Sequence, residues 1–179
     1  MRAQTKALAA ALAAALAFTG LQPAVAADTT ALVDLEAAEY AIDSDNDGLP
    51  DDWETEGIVL HDGTELALPD WGVDPNRPDV FLQLNWMEKH NGKSFAPSAE
   101  ALQDIVDLFD DHGIALHIDA GETYTNIPNY TEFHGGETVA YSQHYFADQI
   151  SGVRLLKDIE THLGDRSNAF RLGIIGDQI

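Results

Sequence analysis

The sequence has 179 residues, of which 31 are Asp or Glu, 9 are Lys or Arg and none is Cys, so the formal net charge is −22. This length suits one ordinary domain. The acidic excess argues against a nucleic-acid partner, because phosphate binding needs clustered Lys and Arg, and against electrostatic attachment to an anionic membrane. The lack of cysteine excludes disulfides, a thiolate zinc site and a cysteine nucleophile.

The first 26 residues have the features of a secretory signal peptide. Arg2 and Lys6 supply positive charge, an alanine- and leucine-rich run follows over 7–18, and residues 24–26 (AVA) fit the rule for cleavage between small residues. The apolar run is shorter than the ~20 residues that cross a bilayer. We therefore expect a secreted chain of 153 residues with no membrane anchor. Since the signal peptide holds two bases and no acid, its removal leaves the mature chain with a formal charge of −24.

Residues 27–78, called the acidic segment below, differ in composition from the rest of the mature chain. Residues 28–79 hold 16 of the 31 acidic residues and a single base, Arg77. Their hydrophobic pattern is sparse and interrupted by turn-forming pairs such as Asp62-Gly63. We interpret this part as a loop-rich, ion-binding segment that precedes an α/β domain over residues 79–179.

The α/β domain is predicted from hydrophobic periodicity. Alternating apolar residues indicate a strand over 79–87, a helix begins at Pro97-Ser98 and ends near His112-Gly113, and a second strand covers 114–118. A loop over 120–136, a helix over 147–162 and a third strand over 170–175 follow. The sequence thus predicts an α/β fold with a small, mostly parallel, three-stranded sheet and two helices. Because such a sheet normally has more helical cover, we expect a domain that is cut short.

The twelve residues 43–54 match a calcium-binding loop. Calcium takes six to eight oxygen ligands, and the loop places acids at positions 1, 3, 5, 9 and 12 and a glycine at position 6. The predicted ligands are the side chains of Asp43, Asp45, Asp47, Asp51 and Glu54 and the carbonyl of Leu49. A solvated acidic loop is the alternative, but six acids and no base within twelve residues repel one another unless a cation is present. We predict one structural calcium ion.

Four other residues are candidates for catalysis. His117 and Asp119 stand two apart at the end of a predicted parallel strand, where open α/β sheets place their ligands, and His134 and His144 lie in or beside the next loop. Together they could form a hydrolase site. The simpler interpretation is that His117 packs locally and the loop histidines are exposed. The sequence contains no HExxH motif, so it does not support a zinc site.

Two stretches resemble known families. The run DSDNDGLPDDWE resembles the thrombospondin type 3-like, EF-hand-like calcium motifs of secreted bacterial proteins. Residues 79–87 (DVFLQLNWM), the His112-Gly113 pair and residues 116–119 (LHID) are similar to the N-terminal part of secreted bacterial zinc metallopeptidases. That family usually has acidic residues where this chain has Gln83 and Asn85, and its members carry a zinc helix downstream. The resemblance therefore implies calcium ligands but no catalytic residue in this chain.

Three functions are compatible with these features. The first is a secreted calcium-binding protein that resembles the N-terminal region of a zinc metallopeptidase and lacks the catalytic zinc motif. The second is a hydrolase that uses His117, Asp119 and the loop histidines. The third is a module that binds a surface glycan or protein in a calcium-dependent manner. We favour the first, because the calcium loop is the most specific motif in the sequence.

Overall fold

The computed structural model describes residues 41–143, 145 and 157–177. The predicted signal peptide, His144 and most of the predicted second helix lie outside the described residues. The elements in chain order are α1 (Asp51–Glu56), β1 (Ile58–Val59), β2 (Glu65–Leu66), β3 (Asp79–Met87), α2 (Ala99–Asp110), β4 (Ala115–Asp119), β5 (Thr138–Val139) and β6 (Phe170–Ile175). Residues 157–162 are also helical. Within these ranges, no helix is long and apolar enough to cross a membrane.

The main sheet is built around β3. This strand pairs in parallel with β4 over Asp79–Gln83, with β6 over Phe81–Trp86 and with β5 at Trp86–Met87. The α/β class and the third predicted strand, 170–175, are confirmed. The sheet has four strands rather than the three predicted. The additional strand, β5, is only two residues long, which is too short to show a period in the sequence. A separate antiparallel pair joins β1 and β2.

One face of the sheet packs against α2. The alternation of β3 directs Val80, Leu82, Leu84 and Trp86 to a single face, as predicted, and these residues share a hydrophobic cluster with Leu102, Val106 and Phe109. The helix begins after Ser98, whose Oγ accepts a hydrogen bond from the Ala101 N–H at 3.1 Å. It ends close to Gly113, which has the left-handed φ of 76° expected of a stop residue.

The acidic segment covers the opposite face of the sheet. Phe81 of β3 and Phe170 of β6 lie in a second cluster with Leu49, Leu60, Leu66, Leu68 and Trp71. The ring centroid of Trp71 is 5.8 Å from that of Phe81 and 6.1 Å from that of Phe170. The sheet therefore has the second layer that the sequence did not predict. Those apolar residues follow neither a helical nor a strand period, so only the folded chain brings them together.

Helix α2 offers two leucines for a matched test of this core. Leu102 is 2% exposed and Leu108 is 54% exposed, although both stand on the same helix. We expect Leu102→Ala to lower the free energy of unfolding by about 2–5 kcal/mol, because it leaves a cavity under the sheet. Leu108→Ala should change it by less than about 0.5 kcal/mol. Urea unfolding of both variants measures the difference, and equal losses would contradict the packing described.

Candidate metal centre

The predicted calcium loop is folded by its own acidic side chains. Asp43 accepts hydrogen bonds from the N–H groups of Asn46 at 2.7 Å and Gly48 at 3.1 Å, and Asp47 accepts one from Leu49 at 2.7 Å. Asn46 and Gly48 have left-handed φ angles of 64° and 95°, which turn the chain back on itself. As a result, Asp43, Asp45 and Asp47 each place a carboxylate oxygen within 4.8 Å of the others.

Glu54, the last residue of the loop, is buried inside the protein. It lies in α1 and is only 2% exposed, and neither of its carboxylate oxygens has a hydrogen-bond partner among the described residues. Burying an unpartnered carboxylate is unfavourable unless a cation or a proton neutralises it. Glu54 therefore favours the binding of either a cation or a proton at this position.

Asp79, the first residue of β3, joins the site from outside the loop. It is 3% exposed, and its N–H donates a 2.6 Å hydrogen bond to Asp47 Oδ2. Carboxylate oxygens of Asp47, Glu54 and Asp79 lie within 4.8 Å of one another. The sequence pattern marks Asp79 only as the first residue of a predicted strand. Asp79 lies on the same face of β3 as Phe81, and that face is buried. An acidic residue on a buried strand face is the feature of the sequence that could have identified Asp79 as a candidate ligand.

The two remaining predicted ligands are the Asp51 side chain and the Leu49 carbonyl. Both carboxylate oxygens of Asp51 are used by Ser44, whose N–H donates at 2.8 Å and whose hydroxyl donates at 2.7 Å. Asp51 belongs to neither group of convergent oxygens in the described chain and closes the loop instead. The predicted ligand of Leu49 is its carbonyl oxygen, which stays a prediction, while its side chain is buried in the hydrophobic cluster that contacts the sheet and anchors the loop.

The site is electrostatically unfavourable in its fully ionised, ion-free form. Burial, followed by repulsion from Asp47, Asp45 and Asp79, raises the pKa of Glu54 to about 8. Burial and the neighbouring Asp47 also raise the pKa of Asp45. A bound metal ion would remove this penalty by compensating the negative charge. The described chain thus contains an acidic cluster able to hold a metal ion.

The structure describes three of the four candidate catalytic residues, His117, Asp119 and His134, and places them in different environments. His117 is buried, stacks on Phe81 with ring centroids 4.4 Å apart, and places Nε2 2.5 Å from Asp79 Oδ1. It therefore contacts the metal centre rather than Asp119. His134 lies at the surface, where desolvation of part of its ring, followed by the nearby Arg166 charge, lowers the pKa of the imidazole. Only the backbone of His134 meets Asp119 in a hydrogen bond, at 2.8 Å.

Asp119 has a structural environment of its own. It is fully buried and accepts hydrogen bonds from the Gly121 N–H at 3.0 Å and the Tyr130 hydroxyl at 3.1 Å, besides that of His134. Buried Arg166 lies 3.8 Å from Asp119 Oδ2 and donates to Tyr130 and to Gln83 Oε1. This network fixes the long loop to the middle of β3 and to the carboxyl end of β4. Its groups are satisfied by one another, which favours a structural role.

Comparison with protein-family models, curated proteins and solved structures finds no match to this chain. The resemblance to zinc metallopeptidases therefore stays a prediction. The class of protein is defined by its own fold and site: an α/β protein whose acidic N-terminal loop and central strand form a candidate metal centre.

The raised pKa of Glu54 predicts how the stability of the metal-free protein responds to pH. The folded state holds a proton on Glu54 up to about pH 8, whereas an exposed Glu has a pKa of 4.5. The free energy of unfolding should therefore fall as the pH rises from about 5 to 8, because the folded state binds more protons than the unfolded state over that range. Thermal unfolding in a metal chelator measures this decline.

Glu54→Gln isolates the contribution of this residue, because glutamine resembles the protonated acid. The variant should match the wild type near pH 5 and exceed its stability near pH 8. Asp52→Asn, which alters an exposed acid in the same helix, is the matched control and should follow the wild-type profile. Parallel profiles for the wild type and Glu54→Gln would show that Glu54 is not a buried, repelled carboxylate.

Proposed function

We propose that this chain is an exported calcium-binding protein in which calcium fastens the acidic loop to the α/β sheet. The observation that carries the proposal is the buried Glu54 carboxylate, which has no partner in the described chain and faces other carboxylates. The loop belongs to a segment that forms one side of the core. An ion bound there would therefore stabilise the layer above the sheet as well as the loop.

Calcium fits this donor set better than other common ions. The converging groups are carboxylate oxygens, which hard cations prefer, and the chain contains no cysteine to favour a soft metal. Magnesium requires a small octahedral site and keeps several waters, whereas calcium accepts irregular sets of protein oxygens. The spacing of Asp43, Asp45, Asp47 and Glu54 is also that of a calcium loop.

A structural role for calcium fits the surroundings of α1 better than a sensor role. EF-hand sensors act by opening a pair of helices around a hydrophobic groove. Here α1 has six residues, ends at Gly57 and is followed by the short strand β1. Trp53 of α1 packs on the hydrophobic cluster that covers the sheet. The helix is thus part of the core, and binding would order it rather than open it.

The other predicted functions receive less support. His117 and Asp119 are buried and hold other groups in place, so a hydrolase based on them has no geometric argument in its favour. Calcium-dependent binding to a surface, and the relation to zinc metallopeptidases, stay predictions. Calcium binding is the function for which the site itself supplies a physical reason.

Calcium should raise the thermal stability of the mature chain. Extracellular sites bind with dissociation constants of about 0.1–1 mM, so 1 mM calcium should add about 0.4–1.4 kcal/mol per ion to the free energy of unfolding. For a protein of this size, 1 kcal/mol corresponds to a melting-temperature increase of about 2–4 °C. Magnesium at the same concentration should have a smaller effect. Differential scanning fluorimetry with each ion provides the measurement.

Asp45→Asn should abolish most of this calcium-dependent increase, because it removes a ligand charge without changing the size of the side chain. Asp52→Asn removes the same charge from an exposed residue of the same stretch and should retain the increase. Calcium-independent melting of the wild type, or equal responses of the two variants, would contradict the proposal.

Export predicts a defined mature N terminus. When the full chain is expressed in a bacterium that secretes it, we expect the product outside the cytoplasm to begin at Ala27, because residues 24–26 end in a small residue that suits cleavage. Intact-mass measurement of the exported protein tests this. Ala26→Arg should leave an uncleaved precursor, whereas an unprocessed wild-type chain inside the cell would contradict the prediction.

A further inference from the structure

We infer that the protein has a second binding site, separate from the candidate metal centre, which takes a small zwitterion such as a free amino acid. The site is a cavity of about 410 Å³ between the acidic segment and the long loop over 120–136. Trp71 lines it from the segment, Tyr130 lines it from the loop, and Arg166 completes it. The acids of the metal centre are not among its lining residues, so the inference does not depend on the proposed calcium-binding function.

The walls of the cavity are fixed to each other. The ring of Trp71 packs edge-on against that of Tyr130, with centroids 5.0 Å apart. The Asn129 side-chain amide donates a 3.0 Å hydrogen bond to the Asp70 carbonyl and so joins the loop to the acidic segment a second time. The cavity is therefore preformed, and a ligand that enters it does not have to order its walls.

Arg166 gives the cavity a buried positive charge. Its side chain is almost completely buried, and it donates to Gln83 Oε1 at 3.0 Å and to the Tyr130 hydroxyl at 3.2 Å. These bonds hold it in the network without a ligand, but they use only two of the five N–H donors of a guanidinium. Asp119 Oδ2, at 3.8 Å, is too far away to accept a hydrogen bond. The unused donors suit a ligand carboxylate, which arginine frequently binds through two parallel hydrogen bonds.

The mouth of the cavity has the opposite charge. Glu65 and Glu132 also line the cavity and are exposed, so they lie at its mouth, whereas buried Arg166 lies at its base. His134 lines it too, but desolvation of part of its ring and the Arg166 charge lower its pKa, so it is uncharged at neutral pH. A simple anion is repelled at the mouth and a simple cation at the base. A molecule with both charges meets an opposite charge at each end.

The remaining lining residues favour a ligand with an apolar part. Leu66, Ala67 and Trp71 contribute apolar surface to the wall formed by the acidic segment. The volume of the cavity falls within the range of about 300–1,000 Å³ that is typical of small-molecule sites. An amino acid with an aliphatic side chain, such as leucine, therefore matches the cavity in charge, size and polarity.

The binding of three related probes to the mature chain tests the inference. L-Leucine carries both charges, 4-methylpentanoate lacks the ammonium group, and 3-methylbutylamine lacks the carboxylate. Calorimetric titration at neutral pH should show leucine binding about tenfold more tightly than either of the others, because each of them loses one charge-assisted contact. Equal affinities for the three probes, or no binding of leucine up to its solubility limit, would overturn the inference.

Removing the charge at the mouth should change two affinities in opposite directions. In the double variant Glu65→Gln with Glu132→Gln, leucine should bind more weakly because its ammonium group loses its partners, and 4-methylpentanoate should bind more tightly because the repulsion is gone. Glu56→Gln, an exposed acid of the same segment that does not line the cavity, is the matched control and should leave both affinities unchanged. Parallel changes for the two probes in the double variant would contradict the assigned charges.

Arg166→Lys tests the base of the cavity. The variant keeps the positive charge but loses the planar pair of donors, so leucine should bind about tenfold more weakly. Circular dichroism establishes that the variant is folded. If Arg166→Lys does not fold, the double variant at the mouth decides the matter, because both of its positions are exposed. An unchanged leucine affinity in folded Arg166→Lys would show that Arg166 does not hold the ligand.

Discussion

The arrangement of this protein depends on a hydrogen bond from the backbone N–H of Asp79 to the Asp47 carboxylate, 2.6 Å long. It joins the acidic loop to the first residue of the central strand and brings two carboxylates together in the interior. The side chain of Asp79 is in turn held by His117 on the neighbouring strand. Loop, strand and sheet therefore meet at one point, and the charge collected there must be compensated for the fold to be stable.

The two buried acidic centres of the sheet solve this charge problem in different ways. At the carboxyl ends of the strands, Asp119 lies beside Arg166 and accepts hydrogen bonds from Tyr130 and two backbone N–H groups. At the opposite end of β3, Glu54 is surrounded by other acids and has no donor among the described residues. The first centre is complete without a ligand. The second has the properties of a site built for cations.

A bound cation is well suited to a small chain without cysteine, which can form no disulfide. Such proteins commonly depend on disulfides or metal ions to supplement a limited core. In this chain the acidic segment contributes Leu49, Leu66 and Trp71 to the core above the sheet, close in sequence to the metal ligands. Ion binding and hydrophobic packing consequently act on the same layer. A change in either one therefore affects the other, because the ligands and the core residues alternate along the same stretch of chain.

The sequence by itself determined the local features of this protein. Strong periodicity placed the strands 79–87 and 170–175 and the helix after Ser98, and the spacing of Asp43, Asp45, Asp47 and Glu54 marked the candidate metal-binding loop. Tertiary structure decided which of these residues meet. The two-residue strand β5, the packing of the acidic segment on Phe81 and the arrival of Asp79 at the metal centre all depend on contacts between residues far apart in sequence. Short-range sequence patterns do not predict such contacts, because the local sequence of each partner is compatible with many other contact partners.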